Sequence, residues 1–177
     1  MEKASKAAAD KRQADAKAKI EADSTALFYS ALKGQAKTVT LENEKVALTL
    51  NTKGGTVEKA VIKGYVGHNL QVKDGSADQK DVTLFDGKDQ CLKFMLEAKE
   101  ANIITSDLYF TPSNVTKNSV TMTAVAAPGK TLSMTYTLGK GYMLHMSLQA
   151  EGMSGLFSPN CNKMSIDWSD KARQQER

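Results

Sequence analysis

The stretch Leu48–Ile62, LTLNTKGGTVEKAVI, decides the fold of this 177-residue chain. Apolar and polar residues alternate before and after the pair Gly54-Gly55, and alternation with a period of two predicts β-strands. Two adjacent glycines supply the positive φ angles that a tight turn between strands requires. The stretch therefore predicts a strand, a turn and a second strand, and it is the most specific motif in the chain.

The composition is that of an ordinary soluble protein, with 41% hydrophobic residues, 25% charged residues and a formal net charge of +4. Lysines and arginines are interleaved with aspartates and glutamates instead of forming a basic stripe, so nucleic-acid binding is disfavoured. No window approaches the roughly 18 to 20 consecutive apolar residues that span a bilayer. No short apolar core follows a basic N-terminus, so we expect a soluble chain without a signal peptide.

The N-terminal residues Met1–Asp23 are rich in alanine, lysine and acidic residues. Such residues favour a helix, but the segment lacks the apolar stripe with which a helix docks on a core. We predict a solvated helical linker. Ser24–Lys33 predicts a second, short helix whose left-handed C-cap is Gly34.

From Gln35 onward the pattern changes to β. We therefore predict two parts: residues 1–34 as a charged helical linker with a short helix, and residues 35–177 as a β-sandwich domain. In the second part about nine or ten short alternating runs, separated by turn signals, indicate an all-β antiparallel sandwich in which each strand buries one face. These runs include Val46–Leu50, Val82–Phe85, Leu92–Leu96, Val120–Ala126, Leu132–Leu138, Tyr142–Ala150 and Cys161–Trp168.

Candidate catalytic groups are scattered over the sequence. The two histidines, His68 and His145, have no neighbours at metal-ligand spacing, and Gly54-Gly55 lacks the context of a phosphate-binding loop. Cys91 and Cys161 lie far apart, which leaves open either two thiols or one long-loop disulfide. The sequence thus predicts no catalytic residue, no cofactor and no metal ion.

The opening stretch resembles the start of the first periplasmic domain of the YidC membrane protein insertases, the bacterial members of the Oxa family. A second block, Leu132–Glu151, is similar to a hairpin of that domain, and Ala4–Asp23 and Ala26–Leu32 resemble the linker and short helix that precede it in Bacteroidetes. The matching positions of the motif are Leu48, Leu50, Thr52, Lys53, Gly54, Gly55 and Val57, followed by Tyr65.

This resemblance implies an incomplete antiparallel β-supersandwich, similar to galactose mutarotase, on the periplasmic side of the bacterial inner membrane. It implies a non-enzymatic accessory role: contact with SecDF-like components of the Sec translocon and help for nascent membrane proteins during insertion. The membrane would be reached only through helices that this chain lacks, so no insertase residue can be assigned here. We expect an N-terminal fragment, truncated at its C-terminus, with an open sheet edge that favours marginal stability or association.

The alternative from another functional class is a mutarotase-like carbohydrate-binding or aldose-epimerase domain. That chemistry needs a carboxylate base and a histidine acid in one cleft, together with aromatic side chains that stack on the sugar. Aromatic residues make up only 6% of the chain, which disfavours this reading. A cleft that holds His68 or His145 beside a carboxylate would favour it.

Overall fold

A computed structural model describes residues 11–12, 14–15, 17–18, 26–65, 81–87, 90–99, 102–157 and 164–170. Within these ranges the chain forms eleven strands and two short 3₁₀ helices, Ser30–Leu32 and Thr105–Asp107. The strands are β1 (Thr38–Glu42), β2 (Val46–Asn51), β3 (Thr56–Lys63), β4 (Asp81–Asp86), β5 (Gln90–Leu96), β6 (Ile103–Ile104), β7 (Thr111–Ser113), β8 (Ser119–Ala127), β9 (Lys130–Leu138), β10 (Leu144–Glu151) and β11 (Met164–Asp170). No helix within the described ranges is long and apolar enough to cross a bilayer.

The strands form three antiparallel sheets. The first has the order β1-β2-β3-β4, the second β10-β9-β8-β7, and the third β11-β5-β6. Neighbouring strands of the first two sheets follow one another along the chain, because short turns can join antiparallel strands directly. The prediction of a mainly β, antiparallel sandwich is confirmed.

The core lies between the inner faces of the first two sheets. Alternate residues of β2 are buried, and so are alternate residues along most of β8 and β9, as their apolar positions predict. The largest fully buried side chains include Leu41 and Leu50 of the first sheet and Met122, Leu132, Met134 and Tyr136 of the second. Phe94 of the third sheet joins the same cluster. The apolar face predicted for each of these strands is therefore the face that packs.

Strands β10 and β11 depart from the prediction that each strand buries one face. In β10 only Leu144 and Leu148 are partly buried, and every residue of β11 is exposed. Both strands are edge strands of their sheets. Alternation correctly predicted the strands, but no described layer covers their apolar side chains.

The segment before β1 packs on the domain, although not as the predicted helix. Ser30–Leu32 is a single 3₁₀ turn, and Lys33 at its end is extended, with φ −112° and ψ 124°. Gly34 has no positive φ, so the predicted left-handed C-cap is wrong. A Cβ at Gly34 would lie 2.7 Å from Tyr109 Cγ, which makes this glycine a point of close approach.

Apolar side chains of this segment pack on the β domain. Phe28 and Ala31 are buried in the common core, and Phe28 N–H donates to Ala126 O of β8 at 2.9 Å. The proposed domain boundary between residues 34 and 35 therefore follows a segment that is packed on the sandwich. The boundary itself stays a prediction.

One hydrogen bond joins the second sheet to the β2–β3 turn. Tyr136 Oη of β9 donates to Gly55 O at 2.7 Å, in a buried environment. Burial raises the pKa of Tyr136 well above its ordinary value, so the hydroxyl keeps its proton and remains a donor. Gly55 has φ 63°, and a Cβ at this position would clash with Met134 Cε and lie 3.2 Å from Phe110 Cδ2. The turn approaches the second sheet this closely only because residue 55 lacks a side chain.

Replacing Gly55 by valine should lower the free energy of unfolding by about 3 kcal/mol, because the backbone strain of a positive φ and overpacking of the core add together. The matched control is Gly129→Val, since Gly129 has φ 70° but a Cβ added there would meet no atom within 4 Å. The control should cost about 1 kcal/mol from strain alone. Urea unfolding of both variants measures the difference, and equal losses would show that packing around Gly55 is unimportant.

Replacing Tyr136 by phenylalanine should cost about 1 to 2 kcal/mol, because Gly55 O would remain buried without its donor. Tyr142→Phe is the control, since Tyr142 is exposed and its hydroxyl lies 3.5 Å from Tyr65 Oη. Its loss should stay below about 0.5 kcal/mol. Thermal and urea unfolding measure both values, and similar small losses would contradict the role assigned to the Tyr136 hydroxyl.

The described part of the leader is helical at residues 11–12, 14–15 and 17–18. It reaches the domain through Lys17, whose Nζ lies 3.3 Å from Asp107 Oδ1 with both side chains about one-third exposed. Ion pairs that are accessible to solvent contribute about 0 to 1 kcal/mol to the free energy of unfolding. Deletion of Met1–Asp23 should therefore shift the melting temperature by at most about 3 °C.

A longer deletion through Leu32 is the control for the leader experiment. It removes the buried side chain of Phe28, and loss of a buried phenylalanine costs about 3 to 5 kcal/mol. We expect the longer deletion to lower the melting temperature by about 10 °C or more. A shift of that size for the shorter deletion would mean that the leader packs on the core.

Candidate interaction site

The residues that match the family motif form a junction between the first sheet and residues 105–110. Thr52 is buried; its N–H donates to Lys37 O, and its Oγ1 accepts from Lys37 N–H, both at 2.8 Å. Thr52 O accepts from Phe110 N–H at 2.9 Å. Thr52 and Lys37 are thus joined by two hydrogen bonds, one of them to the Thr52 hydroxyl. The backbone of Thr52 also connects the turn to Lys37 and to Phe110.

Lys53 lies against the same segment from the other side of the turn. Its backbone bridges to Tyr109, and its Nζ donates to Asp107 O at 2.6 Å and lies 4.1 Å from the centre of the Tyr109 ring. A cation over an aromatic face is attracted by the ring quadrupole. Lys53 therefore connects the turn to residues 107–109 through both its backbone and its side chain.

Gly54, Gly55 and Val57 complete the motif, and their polar groups are already used inside the protein. Gly54 has φ 79°, and its N–H donates to Leu108 O at 2.8 Å. Gly55 O accepts from Tyr136, and Val57 is a buried core residue. A phosphate-binding loop needs backbone N–H groups that point at the ligand, whereas this turn directs its N–H to a carbonyl.

A groove of about 470 Å³ opens beside the motif, where β7 and the Ser30–Leu32 turn diverge along β8. Its lining includes Thr52, Tyr109 and Thr123, with the exposed Lys33 and Lys37 at the rim. Hydroxyls, lysines and the aromatic residues Tyr109 and Phe110 in this lining offer donors and a stacking surface. Among the residues that the structure describes, the lining contains neither a histidine nor a carboxylate.

The other titratable candidates do not come together in the described part of the chain. His145 is exposed on the outer face of the second sheet, opposite Thr137. Cys91 is a half-buried free thiol, and His68 and Cys161 lie outside the described residues. Within the described ranges no group of three or more His, Cys, Asp or Glu side chains could hold a metal ion.

The largest exposed apolar face in the third sheet belongs to β11. Met164, Ile166 and Trp168 pair with Leu96, Phe94 and Leu92 of β5 and project from the same side of the sheet. The β5 side chains pack on the core, but Ile166 is 57% and Trp168 is 78% exposed. The apolar surface of β5 therefore continues onto β11 without a described cover.

Alternation of apolar and polar residues predicts strand β11 but not its exposure. It also missed residues 105–110, which receive most of the contacts from the motif. Thr105 is buried there, and its Oγ1 accepts from Phe94 N–H at 3.0 Å. No periodic pattern marks this segment, because backbone hydrogen bonds hold it and they leave no signature in the side chains.

A sequence profile described as the YidC periplasmic domain matches residues 38–176. No solved structure matches the chain at a significant level. The matched range begins at the first residue of β1 and extends beyond the last residue of β11. It therefore contains all the strands that the structure describes, including the motif turn and the exposed face of β11.

Three relatives carry the name membrane protein insertase YidC. The protein of Phocaeicola vulgatus is 40% identical over 90% of this chain, that of Bacteroides fragilis is 36% identical over 100%, and that of Parabacteroides distasonis is 32% identical over 85%. The matches cover 24%, 27% and 23% of these relatives, so the chain spans about a quarter of their length. The profile and the relatives agree, and the chain belongs to the YidC periplasmic domain family.

Proposed function

We propose that this chain is a non-enzymatic accessory domain of a YidC-type membrane protein insertase. It would lie on the periplasmic side of the bacterial inner membrane and assist the insertion of membrane proteins through contacts with the Sec translocon. Family membership supports this proposal, as do the relatives named membrane protein insertase. The translocon contact rests on the resemblance of the sequence to that family.

The exposed apolar face of β11 is the observation that carries the proposal of a protein contact. Tryptophan is enriched among the residues that dominate binding energy at protein interfaces. An exposed edge strand also offers unpaired backbone groups to a partner. Strand β11 combines both features: it carries the exposed side chains of Trp168 and Ile166, and it is an edge strand. Every residue of that strand is exposed.

The interior of the domain supports a binding role because it holds the contact surface in place. β11 pairs with β5 over seven residues, and Phe94 of β5 is anchored in the core and bonded to Thr105. A surface that is ordered before binding loses less conformational entropy on association. The β11 face is thus suited to a stable contact with a folded partner.

Carbohydrate binding is the second candidate, and the groove beside Tyr109 favours it. Its hydroxyls and aromatic ring suit a sugar, and its volume of about 470 Å³ falls in the range of small-molecule sites. Epimerase chemistry would also need a general acid and a general base in reach of the sugar. The described lining residues supply a binding surface without such a pair.

A photo-crosslinking amino acid at position 168, in a full-length insertase that carries this domain, should capture subunits of the Sec translocon in cells. The matched control is position 135, because Thr135 lies on the outer hydroxyl-bearing face of the second sheet, bonded to Thr121 at 3.2 Å. We expect the yield from position 168 to exceed that from position 135 by about tenfold, since crosslinking follows burial at an interface. Mass spectrometry of the adducts identifies the partner.

Several outcomes would contradict the proposal. Equal yields at both positions would mean that β11 is not the contact surface. Adducts with soluble sugars or glycans, together with protection of Tyr109 from chemical modification, would favour the carbohydrate reading. A strong adduct with an unrelated periplasmic protein would retain the binding role and reject the translocon as its partner.

A further inference from the structure

One end of the sandwich carries an unusual concentration of exposed apolar side chains. Four chain segments meet there: residues 43–45, 63–65, 114–118 and 139–143, which we call the tip. Met143 is 62% exposed, and Tyr65, Val115 and Tyr142 are each more than half exposed. Single exposed apolar residues are common on proteins, but a cluster of four on adjoining loops marks an interaction site.

Asn43 holds the 139–143 loop in place. Its Nδ2 donates to Gly139 O and to Gly141 O, both at 2.8 Å, and its Oδ1 accepts from the N–H groups of Lys45 and Val46. Gly139 N–H also donates to Met143 O at 2.9 Å. The loop that presents Tyr142 and Met143 is therefore held by one hydrogen bond within the loop and by two hydrogen bonds from Asn43.

A second asparagine fixes the neighbouring turn. Leu138 N–H donates to Asn118 O at 2.7 Å, and Asn118 Nδ2 donates back to Leu138 O at 3.2 Å. Within the turn Thr116 N–H donates to Ser119 O at 2.8 Å. Val115 is thus presented by a turn that is bonded to the same loop as Tyr142.

The tyrosines form a pair at the centre of the tip. Tyr142 Oη lies 3.5 Å from Tyr65 Oη, and Lys45 Nζ lies 5.4 Å from the centre of the Tyr142 ring. The bond to Tyr65 raises the pKa of Tyr142. Two phenols beside an ammonium group combine apolar rings with polar ends, which is the composition of side chains that settle at a membrane–water interface.

The described charged residues around the tip have a small excess of positive charge. The Glu42 carboxylate forms ion pairs with Lys63 Nζ at 2.8 Å and with Lys117 Nζ at 3.6 Å. The hydrogen bond from Lys63 is the main reason why the pKa of Glu42 is lowered. Lys45 and Lys140 make no ion pair with the described residues. Among the described residues at this end, there are four lysines (Lys45, Lys63, Lys117 and Lys140) and three carboxylates (Glu42, Glu44 and Asp81).

We infer that the tip is a membrane-docking site, which inserts Tyr142 and Met143 among the headgroups of a bilayer that contains anionic lipid. The inference rests on the proposed function, because that function places the domain beside a membrane. Apolar side chains on rigid loops enter the boundary between headgroups and acyl chains, and nearby lysines contact lipid phosphates. Charge complementarity favours a lipid surface, since lysine is depleted at protein interfaces.

Vesicle flotation of the full 177-residue chain tests this inference. The chain should bind vesicles of phosphatidylglycerol and phosphatidylethanolamine, and should bind phosphatidylcholine vesicles about tenfold more weakly, because each surface lysine adds to the attraction of an anionic membrane. Changing Tyr142→Ser together with Met143→Ser should reduce binding to the anionic vesicles by about tenfold. The matched control, Ile166→Ser with Trp168→Ser, removes from β11 an apolar pair that is 57% and 78% exposed, against 51% and 62% for Tyr142 and Met143. It should leave binding unchanged.

Tryptophan fluorescence gives an independent measure of which surface is inserted. The chain has one tryptophan, Trp168 of β11, so the emission of the unmodified chain should not shift when anionic vesicles are added. A Tyr142→Trp variant in a Trp168→Phe background should shift to shorter wavelength by about 10 nm as the indole enters the bilayer interface. Circular dichroism of each variant verifies that it is folded.

Three results would overturn the inference. The chain could fail to float with anionic vesicles, the β11 variant could lose binding as strongly as the tip variant, or a crosslinker at position 142 could capture protein instead of lipid. The last result would identify the tip as a protein-binding surface. Translocon capture from position 168 is a separate measurement, so a failure of this inference can be distinguished from a failure of the proposed function.

Discussion

The hydrogen bond from Tyr136 Oη to Gly55 O is the interaction on which the sandwich depends. It requires three conditions at once: a tyrosine that points inward from β9, a turn that approaches without a side chain, and a left-handed backbone at Gly55. A buried hydroxyl and a buried carbonyl each need a partner, and here each satisfies the other. The bond thus fixes the β2–β3 turn against β9, while apolar burial holds the first and second sheets together.

The same turn holds the irregular backbone of residues 105–110 in place. Thr52 O and Gly54 N–H bond to Phe110 and Leu108, while Lys53 reaches Asp107 O and the ring of Tyr109. Tyr109 N–H in turn donates to Ala31 O, which connects the segment before β1 to the same junction. Residues 105–110 thus have little regular structure of their own and still become part of the core.

The sequence was informative wherever one strand face packs on another layer. In β8 and β9 the buried positions are those that alternation predicts along most of each strand, because apolar side chains must share a face to be buried together. The prediction failed for β10 and β11, since alternation identifies a strand but not what covers it. It also failed at Gly34, where a glycine is required by the approach of Tyr109 and not by a left-handed backbone. The motif residues could be predicted, whereas residues 105–110 could not, because backbone bonds between distant segments leave no local pattern.

Two exposed apolar surfaces among the described residues, the β11 face and the tip, differ in chemistry, and this difference bears on how the domain would work. The β11 face combines Trp168 and Ile166 on an edge strand, a surface suited to a protein partner. The tip combines tyrosines, a methionine and lysines on loops held by Asn43 and Asn118, a surface suited to lipid headgroups. Both surfaces lie on strands and loops that share one hydrophobic core, so the sandwich sets the distance between them. A domain that bound lipid at the tip and a protein at β11 would hold that protein at a fixed height above the bilayer, which requires rigidity in the core and no chemistry at the motif turn.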